Sequence, residues 1–127
     1  MEPLTIPSGK GKVLLMPAGI IHLLWRSGVS IEESDARAAM AAVNEAAQGG
    51  EYPLLVDMAN TASVSREARG VFSIPCAATR IALLGTSPVD RVLANFFLRV
   101  HIPPCPTRFF TARQEALTWL LEPSVPG

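Results

Sequence analysis

The stretch TRIALLGTSPVDRVLANFFLRVHIPPCPTRFFTARQEALTWLL, residues 79–121, reads as strand, helix, strand, helix with almost no spare residues. Arg80 to Thr86 opens it with an apolar run of strand length. Ser87-Pro88-Val89-Asp90 then starts a helix, with Pro88 at the first helical position, where its missing N–H costs nothing. Val89, Val92, Leu93, Phe96, Phe97 and Val100 recur at three- and four-residue spacing and predict the buried stripe of that helix. Pro103 and Pro104 close it, and Thr107 to Phe110 leads into a final helix from Ala112 to about Glu122 that buries Ala116, Leu117, Leu120 and Leu121.

Working outward, Pro53 to Met58 is a compact apolar strand carrying Asp57 near its end, and Ala59 to Val64 reads as a polar loop. A short helix is expected from Ser65 to about Ser73, with Val64, Ala68, Val71 and Phe72 inward. Ser30-Ile31-Glu32-Glu33 has capping-box spacing, so a helix should follow it, burying Ala36, Ala39, Met40, Val43 and Ala47 and stopping at Gly49-Gly50. Further back, Lys12–Met16 and Ile20–Trp25 flank Pro17-Ala18-Gly19 and predict a hairpin. Side chains alternate along a strand, so Ile20, His22 and Leu24 face one way and Ile21, Leu23 and Trp25 the other. Both faces are largely apolar, which fits a strand covered on both sides.

These elements predict a single α/β domain over residues 12–122, preceded by a loosely ordered segment 1–11 and followed by a tail, 123–127. A short edge strand near Leu4 to Ile6 fits the first segment. Helical crossovers with right-handed connections return the chain in the same direction, so the sheet should be mixed and mostly parallel, with about five strands, about four helices and an N-terminal β-hairpin.

Composition bounds the function. With 127 residues, 49% hydrophobic and 17% charged, the chain can bury one full core and is too apolar to be disordered. Eleven basic residues balance eleven acidic ones, which argues against a nucleic-acid or anionic-membrane partner. Pro17 and Gly19 interrupt the leucine-rich run after Lys12, and no stretch approaches the roughly 18 apolar residues that span a bilayer, so no membrane insertion and a cytoplasmic location are expected. Cys76 and Cys105 lack the spacing of a metal knuckle or a redox pair and read as reduced thiols.

Leu54-Leu-Val-Asp57, Arg80-Ile-Ala-Leu-Leu-Gly85, Ser87-Pro-Val-Asp-Arg-Val-Leu-Ala-Asn-Phe-Phe97 and Ala116-Leu-Thr-Trp119-Leu, in that order, resemble small bacterial STAS-like proteins. STAS denotes the sulfate-transporter and anti-sigma-factor antagonist domain. The likeness covers roughly Ile20 to Leu121 and implies a STAS-like fold and a non-enzymatic regulatory role. In the anti-sigma-factor antagonists, a serine in an Asp-Ser-x-Gly turn is phosphorylated to switch partner binding. The equivalent window here, Asn60 to Gly70, departs from that motif: neither Ser63 nor Ser65 follows an aspartate or has a glycine two residues on. Ser65 therefore reads first as a helix N-cap. The regulated alternative makes Ser63, Ser65, Arg66 and Arg69 a phosphorylation or partner site, since a phosphate there would meet two cations and a helix dipole.

A second candidate lies at the carboxyl edge of the parallel strands, where open α/β sheets place ligands. Asp57, Asn60, Thr86, Ser87, Arg91, Thr111 and Arg113 should gather there as an anion or ligand pocket. Arg66, Arg91 and Arg113 each fall in the first turn of a helix, where a cation meets the positive end of the dipole. The rival reading is a set of solvated surface arginines and a structural Asp57. With two histidines and two cysteines, no metal site, cofactor or nucleophile is assembled at recognisable spacing, and no glycine-rich phosphate loop follows a strand. His22 and His101 read as structural.

The sequence thus points to a non-enzymatic interaction or regulatory module with a protein partner. A carrier of a small apolar or anionic ligand is the alternative, by the fold's likeness to the CRAL-TRIO lipid-binding class. An enzyme built on Asp57 and the first-turn arginines is the weakest reading. The surplus apolar surface of Ile20 to Trp25 predicts a homodimer.

Overall fold

Pro17-Ala18-Gly19 reverses the chain with Gly19 at φ 80, a left-handed conformation that glycine adopts without strain. The turn joins β2 (Gly11–Met16) to β3 (Ile20–Trp25) as an antiparallel hairpin in continuous register from Gly11↔Trp25 to Met16↔Ile20. The computed structural model describes residues 3–58, 60–100 and 105–122. His101, Pro103, Pro104 and the tail 123–127 lie outside the described residues, as does the side chain of Val100.

A short strand β1 (Leu4–Thr5) pairs antiparallel with β2, and Ile6 behind it is buried. From β3 onward the sheet is parallel, through β5 (Tyr52–Asp57), β7 (Ala78–Leu84) and β8 (Thr107–Phe110). The strand order β1-β2-β3-β5-β7-β8 is the mixed, mostly parallel sheet expected, with six strands. A separate parallel pair, β4 (Ser30–Ile31) with β6 (Ser63–Val64), clips together the two loops that lead into the first two helices.

This clip corrects two expectations. Ser30 is a strand residue and caps nothing. The cap of α1 (Glu33–Ala47) sits two residues later, where the Glu32 side chain accepts from the backbone of Asp35 and Asp35 Oδ2 accepts from Glu32 N at 2.9 Å. The stretch read as a polar loop before Ser65 also contains β6. Asp35, almost fully buried, further accepts from Lys10 Nζ at 2.8 Å. Burial opposes its ionisation, but the bonds from Lys10, Glu32 and Ser8 prevail and hold its carboxyl below the ordinary value.

Three helices cover one face of the sheet and one covers the other. α1 and α2 (Arg66–Phe72) enclose a core with Val13, Ile21, Leu23, Trp25 and Leu54, where Phe72 meets Trp25 edge-on at 6.4 Å. An alanine face, Ala36, Ala39, Ala46 and Ala47, lets α1 lie close to the strands. α3 (Pro88–Val100) lies on the same face above β7 and β8. α4 (Arg113–Leu120) packs alone on the opposite face, over Ile20, Leu55, Ala82 and Phe110. Leu121, expected inside, is exposed, because the helix ends at Leu120 and the chain turns away.

Candidate functional site

α3 does not bury the stripe its periodicity draws. Val89, Val92 and Phe96 are 50%, 65% and 45% exposed, whereas Asp90 and Ala94 are 0% and 2% exposed. At about 100° per residue, the buried side is rotated by about a quarter turn from the centre of the apolar stripe. The cause lies at the helix start. Ser87 Oγ accepts from Asp90 N at 3.0 Å, and Asp90 Oδ2 accepts from Asn60 N at 3.3 Å, across two loops. Gly85 completes this lock: a Cβ there would stand 2.5 Å from the Cβ of Asp90, so only glycine lets the helix approach. The first turn of α3 is therefore fixed by polar contacts, and its apolar stripe is turned partly aside.

Beneath α3 this rotation leaves an apolar cavity of about 90 Å³. Its floor is the sheet face of Leu23, Trp25, Leu54, Val56, Ile81 and Leu83. Leu93, Ala94 and Phe97 form the wall on α3, with Met40 and Phe72 opposite and Cys76 at one side. Arg69 is the only charged residue lining it among the described residues. Its guanidinium lies over the Phe96 ring at 4.6 Å, and its Nε is buried with no hydrogen-bond partner. Thr61 and Thr107 also line it, their hydroxyls donating to the Met58 and Cys105 carbonyls, and mostly apolar walls with a few polar groups are the usual make-up of a small-molecule site.

The residues singled out from sequence are distributed differently. Of the first group, Ser65 is the N-cap of α2, accepting from Ala68 N at 3.1 Å, while Ser63 and Arg66 are exposed and Arg69 turns to the cavity. The groove beside Ser65 is lined by Glu32, Glu33, Ser34, Arg37 and Glu67, and Arg37 is already paired with Glu33 at 2.8 Å. A phosphate on Ser65 would thus face mainly carboxylates.

Of the second group, Asn60 and Ser87 meet through Asp90, as described above. Thr86 and Thr111 are exposed. Arg91 stacks over Phe109 at 5.3 Å, on the α3 face, whereas Arg113 belongs to α4 on the other. Asp57 ends β5 in register with Leu24 and Leu84. Together with Arg113 it bears on His22, a buried ring whose Nε2 has no hydrogen-bond partner. Burial lowers the pKa of His22, the Arg113 charge lowers it further, and Asp57 opposes both. The three first-turn arginines do not converge.

Sequence reasoning missed Asp90 and the cavity. Asp90 carried a signal, the Ser-x-x-Asp spacing of a helix start beside Gly85. The cavity carried none, because its walls come from segments far apart in the chain. Among the described residues, no three His, Cys, Asp or Glu side chains are grouped to hold a metal ion, and no helix is long and apolar enough to cross a membrane.

Comparisons with known proteins give a family and a fold. A family model described as a domain of unknown function, DUF7793, matches residues 14–123. Among solved structures, the chain is similar to a protein of unknown function from Arthrobacter sp. FB24, at 56% identity over 85% of this chain and 96% of that one, with a TM-score of 0.36. It is also similar to an uncharacterised DUF3478-family protein with a SpoIIAA-like fold from Shewanella loihica PV-4. That likeness, at 19% identity over 87% of this chain and 91% of that one, has a TM-score of 0.56 and supports the STAS-like architecture. No protein of curated function matches.

Proposed function

The chain belongs to the DUF7793 family, and from the cavity beneath α3 we propose that it is a non-enzymatic binding protein, a carrier of a small apolar molecule. The cavity is the observation that supports this reading. Interiors pack to near-crystalline density, and the side chains around this 90 Å³ space lack contacts on one side. A ligand in it restores the missing contacts. The absence of enzymatic activity is our inference from the carboxyl edge, where Ser87 Oγ and Asp90 Oδ2 serve to fix the start of α3 and the arginines expected there do not converge. We place the protein in the cytoplasm, where the free thiols Cys76 and Cys105 stay reduced.

Native mass spectrometry of protein purified without detergent tests the reading. A small molecule should travel with the chain, and Ala94→Leu, which fills the cavity from α3, should abolish its binding. A spectrum of the bare chain, unchanged by added hexan-1-ol, would sink the proposal.

A second reading is favoured by the outer stripe of α3. Val89, Val92 and Phe96 present apolar surface to solvent at the spacing of a helix-packing face. We propose that a partner, in the simplest case a second copy, covers it. Sedimentation velocity at micromolar concentration should show a dimer that Val92→Glu dissociates, and a monomer in the parent protein would contradict this reading.

A further inference from the structure

We infer that the ligand of this cavity is a small anionic amphiphile, a short-chain carboxylate whose chain lies beneath α3 and whose head pairs with Arg69. This inference rests on the binding reading above and names its ligand class. Three observations carry it. First, the cavity is lined mainly by apolar side chains, its two hydroxyls, Thr61 and Thr107, already donate to the Met58 and Cys105 carbonyls, and Arg69 is its one charge among the described residues, so a ligand that fills it must be mostly hydrocarbon and any charge it bears must be negative. Second, Arg69 Nε is buried without a hydrogen-bond partner, and a buried donor in that state favours any ligand that supplies an acceptor. No carboxylate among the described residues pairs with Arg69, whereas Arg37 and Arg80 reach Glu33 and Glu122.

Third, the guanidinium carbon lies over the Phe96 ring, 4.6 Å from its centroid, a cation–π contact that anchors the group. The N–H edge of a guanidinium matches the two oxygens of a carboxylate. An alcohol can satisfy only part of it, and an amine would be repelled. Size narrows the class further. A sealed cavity of roughly 150 Å³ admits the six carbons of benzene, so a space of about 90 Å³ takes only about four carbons of an unbranched chain, and the rest of a hexanoate must lie in the open part of the pocket.

The test compares sodium hexanoate with hexan-1-ol by amide-shift titration of the intact protein. Hexanoate should bind at least tenfold more tightly than the alcohol. Arg69→Gln should weaken hexanoate about tenfold and leave hexan-1-ol unchanged. Equal affinities of the parent protein for acid and alcohol, or undiminished hexanoate binding by the variant, would overturn the carboxylate assignment while the carrier reading stands. Failure of both compounds to bind would overturn both. Thiol alkylation gives an independent readout, since Cys76 lines the cavity while burial pushes the Cys105 thiol up to about 11 and slows its reaction. Hexanoate should protect Cys76 in the parent protein and fail to do so in Arg69→Gln; absence of protection in the parent counts against the assignment.

Discussion

Asp90 has no solvent exposure, yet what surrounds it is one backbone N–H from a distant loop, its own helix start and a glycine. Gly85→Ala should cost about 1–3 kcal/mol in urea unfolding, because the added methyl meets Asp90 Cβ and the first turn of α3 must move. Asp90→Ala should not rescue it, since alanine keeps that Cβ; a rescue would mean the clash is with the carboxylate. His22 makes a pH prediction. Its folded pKa lies below the ordinary 6.5, so the stability gained by keeping the ring neutral is full above that pH and is lost as pH falls through the folded value. His22→Leu should flatten the loss of stability as pH falls below the ordinary histidine value of 6.5, and an unchanged slope would assign it to other groups. The Ser87-to-Asp90 spacing was legible from the chain alone. The partner of Asp90, at Asn60, was not, because local sequence holds no record of a contact 30 residues away.

At the scale of elements, α3 separates two properties that sequence reading tends to merge. Periodicity established that residues 88–100 are a helix, and they are. It could not establish which way the helix faces, because Ser87, Asp90 and Gly85 fix its rotation before the apolar stripe meets the sheet. Val92→Glu should therefore change monomer stability by no more than about 0.5 kcal/mol, as at other exposed sites. In a buried stripe the same unpaired charge would cost at least ~3 kcal/mol. Urea midpoints measured at low protein concentration decide between the two. α1 shows a smaller shift of the same kind. Two overlapping Ser/Glu-x-x-acid patterns competed for its cap, and pairing of Ser30 with Ser63 removed the first.

At the scale of the whole molecule, strand order was largely readable, because a strand and helix alternation leaves few topologies once crossovers are right-handed. The association state was not, since it depends on which apolar surface the helices leave uncovered. The candidate site was legible only as residue types: Arg69 was expected beside a phosphate and faces a hydrocarbon cavity. The same sheet order also sets a clock. β1, β2 and β3 pair through short turns, but every parallel pairing of the six-stranded sheet, β3–β5, β5–β7 and β7–β8, must wait for a crossover to close. The hairpin is thus the natural first structure of a refolding chain, and its turn the place where folding speed is decided. Gly19→Ala, strained at φ 80, should lower stability by about 1 kcal/mol or more, with most of the effect in a slower refolding rate. A chevron whose unfolding arm alone shifts would place the first event elsewhere.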